Sequence, residues 1–173
     1  MMKSVLIAIR PQLVEKIAKG EKTIEVRKSA PKEVPFKAYI YCTKEKKQDD
    51  IIWAGIFGDR GKWNGRVIGE FICNNASELD YVYYWNNGYE FATCLTYRQV
   101  ADYGKGKTLY GWHISDLKIY DTPKELSEFR KPCKINLPMC DRCEYYSTWS
   151  GRCENITRAP QSWQYIEDLG EEK

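Results

Sequence analysis

The sequence predicts an α+β fold: a small barrel or curled sheet of five or six short strands, with two or three short helices inserted between them. The strand-like segments are brief and outnumber the helix-like ones, which argues against a doubly wound parallel sheet. A length of 173 residues suits one domain with a small appended element. A chain of this size buries roughly 70% of its unfolded surface, so its stability needs no disulfide framework.

A strand, a helix and a second strand are predicted first. Residues 5–9 are a continuous apolar run, as in a buried strand. Pro11 suits the first turn of a helix, and Gly20 provides its stop. In residues 23–28 the period changes to two, which predicts a strand. Its two faces are Ile24 and Val26 on one side and Thr23, Glu25 and Arg27 on the other.

Two further helices are indicated by their caps. Thr96 and Gln99 form a capping box that opens a helix over 96–103. A second capping box, with Pro123 at the first helical position, predicts a short helix over 122–129. The remaining predicted strands are 38–43, 66–73, 81–85 and 112–120, and 48–64 is predicted to be irregular.

The charge is unevenly distributed along the chain. Residues 1–47 carry 12 Lys or Arg against 5 acidic residues, whereas the whole chain has a formal charge of only +3. A basic N-terminal third indicates a local anionic partner, and a solvated lysine face is the alternative. The opening apolar run is too short for a signal peptide or a membrane span, so we expect a cytoplasmic protein without a membrane partner.

The N-terminal segment gathers charged side chains that suit a polyanionic or nucleotide-like ligand. Arg10 ends the first predicted strand, and Lys22, Glu25 and Arg27 surround the second. An arginine offers a planar fork for phosphate and a lysine a point charge, while Glu25 could orient an arginine or accept hydrogen bonds from a base. The alternative is a ladder of surface ion pairs, worth under about 1 kcal/mol per pair.

Four of the seven cysteines lie close together near the C-terminus, at Cys133, Cys140, Cys143 and Cys153. Two thiolates separated by two residues can hold one face of a tetrahedral ion, and the outer two could complete a structural zinc site. Unconnected thiols or a redox pair are the alternatives, although a thioredoxin-like setting for a redox pair is absent. We expect no organic cofactor.

Two single residues leave their roles open. His113 is the only histidine, and no nucleophile or metal partner stands near it in the sequence, which favours a structural role over base contact. Glu70 interrupts an apolar strand on the face of Ile68 and Ile72, and a buried carboxylate there needs a partner.

Five segments together resemble the ASCH domain family, which is similar to PUA domains. They read IRP at 9–11, GEKTIEVR at 20–27, LYGWHISDL at 109–117, YDTPKEL at 120–126 and PQSW at 160–163. The resemblance implies a small PUA-like β-barrel with a helix after the first strand and a cleft for RNA or nucleotides. It covers most of residues 3–169, in a bacterial or phage branch of the family with a cysteine-rich extension. We therefore expect an ASCH barrel over 1–130 and a zinc-stapled extension over 131–173.

The resemblance also implies which residues form the site. The cleft lies beside the Gly-x-Lys-Thr segment, so the expected ligand-binding residues are Arg10, Lys22, Thr23, Glu25, Arg27, Trp112, His113 and Trp163. The tryptophans would stack on a base. Some ASCH-like proteins hydrolyse acetylated cytidine with a Lys and a Thr of this segment; here Lys22 matches the Lys, and Glu25 stands where the Thr would be.

The leading hypothesis is therefore an ASCH-type protein that binds RNA or a modified nucleotide in a basic cleft. An enzyme is the first alternative, either an amidohydrolase on an acetylated nucleoside or a ribonuclease, with Lys22 and Glu25 as catalytic residues. The second is an accessory protein whose cysteine-rich tail mediates protein contacts.

Overall fold

The computed structural model describes residues 2–45, 60–79, 88–132 and 155–169, and within these ranges the strands form two sheets. The strands are β1 (Lys3–Ile9), β2 (Ile24–Arg27), β3 (Phe36–Cys42), β4 (Val67–Cys73), β5 (Ala76–Glu78), β6 (Tyr110–His113), β7 (Ser115–Lys124) and β8 (Trp163–Ile166). The helices are α1 (Pro11–Ala18), α2 (Arg60–Trp63), α3 (Tyr89–Thr93) and α4 (Tyr97–Gly104), and a 3-10 turn spans Leu126–Glu128. The large sheet has the order β7-β4-β3-β1-β8, and the small sheet has the order β2-β6-β5. β1 and β3 are parallel, and the other pairs are antiparallel.

The large sheet is covered on both faces, and β1 shows why. Val5 and Ile7 belong to a core that includes Trp112 of the small sheet; we call this side of the large sheet the inner face. Leu6 points the other way and packs with Phe129 on the outer face. Apolar side chains at every position from Val5 to Ile9 thus produce a strand buried on both sides, as this continuous apolar run predicts.

The small sheet lies between the large sheet and α4. Val26 packs with Val100 of α4 on one side of β2, and the alternation of the strand turns Glu25 and Arg27 toward the inner face. All four residues of β2 are buried. The predicted alternation is therefore confirmed, but the alternative of a surface ion-pair ladder is wrong, because both faces of this strand are covered.

The predicted α+β class and PUA-like fold are confirmed. The strands of the described ranges form two sheets packed face to face rather than one closed cylinder. The first strand is followed directly by a helix, and that helix packs its apolar stripe against the inner face.

The two predicted N-terminal caps have different outcomes. α4 begins at the capping box of Thr96 and Gln99, and Lys105 closes it in the left-handed conformation. The helix predicted over 122–129 is wrong: Pro123 lies in β7, and only the short turn Leu126–Glu128 is helical. β7 is the edge of the large sheet, where a proline's missing N–H removes no ladder hydrogen bond, so the strand tolerates it.

The strand predicted over 112–120 divides between the two sheets. β6 ends at His113, the amide of Ile114 donates to Thr23 O, and β7 begins at Ser115 in the large sheet. The left-handed backbone of Asp116 (φ 48°) lies at this transition. A continuous run of strand-forming residues hides such a change of sheet.

Glu70 does not share a face with Ile68, contrary to the prediction. Ile68 packs in the inner core, whereas Glu70 lies opposite Tyr39 and contacts residues of the outer face. The ladder between β3 and β4 has a register shift between Ile40 and Tyr41, and this bulge reverses the alternation along β4.

The C-terminal part of the chain contributes to the large sheet. β8 pairs with the free edge of β1, and Ile156 packs with Phe129 on the outer face. The domain boundary after residue 130 stays a prediction. The strand predicted over 81–85 and the four clustered cysteines lie outside the described residues. In the described ranges, no helix has the length and apolar character needed to cross a membrane.

Candidate functional site

Lys22 is held inside the protein at the entrance to β2. The left-handed Gly20 (φ 74°) ends α1 and turns the chain into this position. The Lys22 side chain is fully buried. Its ammonium donates hydrogen bonds to Ile24 O at 2.7 Å and Thr93 O at 2.6 Å, and lies 3.3 Å from Glu25 Oε2. Three N–H groups thus have three oxygen neighbours.

Arg27 connects the small sheet to the large one. Its Nη2 lies 3.0 Å from Glu25 Oε1 and donates to the carbonyl oxygen of Ala8 in β1 at 2.7 Å. Glu25 is therefore shared between two cations, Lys22 and Arg27. We call these three side chains the inner cluster; they carry a formal charge of +1 and are 1–7% exposed.

Two tryptophans adjoin the inner cluster. Trp112 of β6 is the direct cross-strand partner of Glu25, so the two side chains share one face of the small sheet. The ring of Trp112 is fully buried and makes edge contacts with Phe36 and Trp163, at centroid distances of 4.9 and 5.6 Å. Trp163 is half-buried, and its Nε1 donates to Ser29 Oγ at 3.1 Å.

Three buried polar atoms of this region have no hydrogen-bond partner among the described residues. They are Glu25 Oε2, Arg27 Nε and Trp112 Nε1. The contact of Glu25 Oε2 with the Lys22 ammonium is electrostatic and lacks hydrogen-bond geometry. Such atoms are uncommon in folded proteins, and each costs about 1–3 kcal/mol when left unpaired. One acceptor and two donors therefore remain available on neighbouring residues.

The structure brings together only part of the predicted site. Lys22, Glu25, Arg27, Trp112 and Trp163 are connected by the contacts above. Arg10 is exposed at the start of α1, and Thr23 is exposed, with its backbone bonded to Ala92 and Ile114. His113 is half-buried opposite Ile24, on the side of β6 away from Trp112.

Sequence reasoning missed two partners of this site. Ser29 receives the Trp163 hydrogen bond, and the carbonyl of Thr93 receives that of Lys22. Both contacts join residues far apart in the chain, and the Thr93 contact uses a backbone atom, which has no signal in the sequence.

A second charged cluster lies on the outer face of the large sheet. The Lys37 ammonium is 3.5 Å from Asp168 Oδ1 and 4.0 Å from Glu70 Oε1. Tyr39 donates to Asp168 and Tyr120 to Glu70, each at 2.5 Å. Lys37, Glu70 and Asp168 form the outer cluster. Burial and the hydrogen bond to the Asp168 carboxylate raise the pKa of Tyr39 well above its ordinary value of 10.0.

Two of the described cysteines lie in the core of the protein. Cys42 and Cys73 are buried in the inner core, and burial raises their thiol pKa to about 12 and about 11. No group of three potential metal ligands occurs in the described ranges. The predicted zinc ligands, Cys133, Cys140, Cys143 and Cys153, lie outside those ranges, so the zinc site stays a prediction.

The fold is shared with ASCH proteins of known structure. No protein-family model matches the chain, and no curated protein matches it. The crystal structure of ASCH from Zymomonas mobilis has a TM-score of 0.52 and 20% identity, over 95% of this chain and 88% of that one. A Ser-to-Ala variant of the Z. mobilis protein gives a TM-score of 0.57 at 17% identity, and a Tyr-to-Phe variant gives 0.52 at 19%. They cover 95% of this chain and 89% and 91% of their own. The chain therefore has the ASCH fold.

Proposed function

We propose that this chain is an ASCH-type RNA- or nucleotide-binding protein whose ligand contacts Glu25, Arg27 and Trp112 between the two sheets. The observation that carries the proposal is the set of three unpartnered buried atoms, one acceptor and two donors. The resemblance of the GEKTIEVR segment to the ASCH motif and the shared fold support the same location.

A nucleotide supplies both kinds of complementary group. The edge of a base presents donors and acceptors side by side, which suits an acceptor on Glu25 and donors on Arg27 and Trp112. The inner cluster has one carboxylate for two cations, so a negatively charged ligand also balances its charge. Phosphate is the natural source of that charge, and exposed Arg10 is available to contact it.

In this proposal Lys22 positions the site rather than touching the ligand. Its three N–H groups already face two carbonyl oxygens and Glu25, and its side chain is fully buried. Arg27 retains an unused N–H for the base edge, and Trp163 is half-buried, so Trp163 takes the stacking role. The Trp112 ring is fully buried and so cannot stack on a base; its indole N–H lacks a partner but is equally buried, so a ligand reaches it only after the covering side chains move.

The enzymatic alternative is not favoured at Lys22, which leaves Glu25 as its candidate general base. A general base needs a free lone pair within reach of the substrate, and the Lys22 ammonium is buried and directed at protein oxygens. The accessory-protein alternative depends on the cysteine-rich segment, which lies outside the described residues.

Two conservative substitutions test the site. Arg27→Lys keeps the charge but removes Nε, and Trp112→Phe keeps an aromatic ring but removes the N–H. We expect each to weaken binding of a fluorescently labelled single-stranded RNA, and of ribonucleoside monophosphates, by about tenfold or more. Fluorescence anisotropy measures the affinity, and circular dichroism melting verifies the fold.

Lys118→Gln is the matched control, since Lys118 is an exposed cation on β7 in the large sheet. It should bind both ligands as the native protein does. Native affinity in both Arg27→Lys and Trp112→Phe, with normal melting curves, would exclude this site.

A further inference from the structure

The α3–α4 region exposes large aromatic side chains. Phe91 is 86% exposed, Tyr97 43% and Tyr103 38%. Exposed aromatic groups concentrated on one region of a surface usually mark a binding site. Every exposed large hydrophobic side chain on these two helices is aromatic.

Cations accompany these rings in the same region. Arg98 and Lys105 are exposed on α4 and at its C-terminal end. The ammonium of Lys28 lies 4.9 Å from the centroid of the Tyr103 ring. We call Phe91, Tyr97, Arg98, Tyr103 and Lys105 the α3–α4 surface. Exposed rings alternating with cations form the pattern that binds single-stranded nucleic acid, where bases stack and phosphates pair with charge.

This surface is built onto the proposed site by direct contacts. Lys22 of the inner cluster donates to the carbonyl of Thr93 at the end of α3, and the amide of Thr23 donates to the carbonyl of Ala92. Lys28, which contacts Tyr103, immediately follows Arg27. A polynucleotide strand bound at the inner cluster therefore has an adjacent path onto α3 and α4.

The surface is also held in place without a ligand. The capping box fixes the start of α4, and Glu90 of α3 accepts a hydrogen bond from the amide of Tyr97 at 2.8 Å. Pre-organised rings lose little freedom when a base stacks on them.

We propose that the α3–α4 surface binds the nucleotides of a single-stranded RNA next to the one held at the inner cluster. The inference rests on the proposed function and sharpens it, because it makes the ligand a polymer rather than a free nucleotide. A mononucleotide would occupy the inner cluster alone.

The experiment compares one labelled single-stranded RNA with the ribonucleoside monophosphates. Phe91→Ala and Tyr97→Ala should each weaken RNA binding by about 5- to 100-fold, the range for loss of one stacked base, and leave monophosphate binding unchanged. Arg98→Gln should lower the slope of log K against log salt concentration by about 0.7, as expected for one lost phosphate contact. Arg27→Lys should weaken both ligands, which separates the two sites.

Leu169→Ala is the control for loss of an exposed apolar side chain, since Leu169 is 40% exposed, and Lys118→Gln is the control for loss of a cation. Native RNA affinity in both Phe91→Ala and Tyr97→Ala overturns the inference. An equal loss of affinity for RNA and for monophosphates would also overturn it. A third contrary result is a changed oligomeric mass of Phe91→Ala with RNA affinity retained, which would assign the surface to a protein contact. If Arg27→Lys binds both ligands with native affinity while Phe91→Ala and Tyr97→Ala bind RNA more weakly, the inner-cluster proposal fails and RNA binding resides on the α3–α4 surface.

Discussion

The inner and outer clusters use the same kinds of charged group on opposite faces of the large sheet, but only one of them completes its own hydrogen bonds. In the outer cluster, a tyrosine hydroxyl donates to each carboxylate at 2.5 Å, and the side chains retain 11–30% exposure. In the inner cluster, the charged groups are 1–7% exposed, yet Glu25 and Arg27 keep unpartnered atoms. The unpartnered atoms of the outer face are neutral, on Ser4 and Gln164.

The contrast separates a structural ion pair from the proposed ligand site. Burying a charge is costly, and a structural cluster reduces that cost by supplying a partner for every charged atom. In the outer cluster, Tyr39 and Tyr120 each donate to one carboxylate, and both carboxylates keep some exposure to solvent. The inner cluster departs from that rule at the place where the ASCH-like motif lies, and a departure of this kind is typical of functional sites.

The largest effect expected is the loss of stability in Lys22→Met. The substitution leaves two buried carbonyl oxygens without their donor and leaves the Glu25 carboxylate with Arg27 alone, so the free energy of unfolding should fall by about 3–5 kcal/mol. Urea denaturation followed by circular dichroism measures it. Lys37→Met is the matched variant, and its loss should be smaller, because both outer carboxylates keep their tyrosines and some solvent. Equal losses would contradict the contrast between the clusters.

A smaller effect is expected for Tyr39→Phe in the outer cluster. The substitution removes one hydrogen bond to a partly exposed carboxylate, which corresponds to about 1–2 kcal/mol of unfolding free energy. A double-mutant cycle with Asp168→Asn should show that most of this loss depends on Asp168. A Tyr39→Phe effect of unchanged size in the Asp168→Asn background would assign the stability to ring packing instead.

Alkaline pH should reveal the same hydrogen bond. The pKa of Tyr39 is raised in the folded protein, so above its ordinary value of 10.0 the unfolded chain releases this proton first. The unfolded state then binds fewer protons than the folded state, and the free energy of unfolding falls as pH rises. The thiol pKa values of Cys42 and Cys73 are also raised in the folded protein, so these residues lower the free energy of unfolding from about pH 9 upward. Above pH 10, Tyr39→Phe should lose less unfolding free energy than the native protein does. Parallel profiles of unfolding free energy against pH for the two proteins would contradict the titration of Tyr39 as a cause.

The smallest effect is expected at the surface. Lys3 Nζ lies 2.8 Å from Glu33 Oε1, which is closer than any charge pair of the inner cluster, but the two side chains are 45% and 68% exposed. Solvent screens such a pair, so Glu33→Gln should leave the urea midpoint unchanged. A loss comparable to that of Lys22→Met would mean that pairing distance, rather than burial, decides the energy.

Local patterns predicted much of the fold, and long-range contacts decided the rest. The run at 5–9, Pro11, Gly20 and the capping box at Thr96 each specify structure through neighbouring residues, and all four were confirmed. Pro123 was misread because its tolerance depends on β7 being a sheet edge, which is a property of the assembled sheet. Glu70 was placed on the wrong face because a bulge between β3 and β4 leaves no periodic signal.

The motif indicated the residues of the proposed site, but their burial was not predictable. Lys22 and Arg27 look like surface cations in the sequence, since lysine and arginine are rarely buried. In the folded protein Lys22 donates a hydrogen bond to the carbonyl of Thr93, and Arg27 donates one to the carbonyl of Ala8. Both acceptors lie on elements distant in the chain. The unpartnered atoms of Glu25, Arg27 and Trp112 become visible only when every neighbour is in place.

The pairing of β1 with both β3 and β8 has a consequence for synthesis of the protein. The register between Ile7 and Trp163 joins a strand made early to one made more than 150 residues later. At translation rates of about 5–20 residues per second, one edge of this apolar strand waits roughly 10–30 s for its partner. During that interval the nascent chain presents an open strand edge, which is the feature that recruits chaperones or leads to misassembly. A messenger RNA truncated before the codon for Trp163 would therefore yield a polypeptide in which β1 never gains its second neighbour.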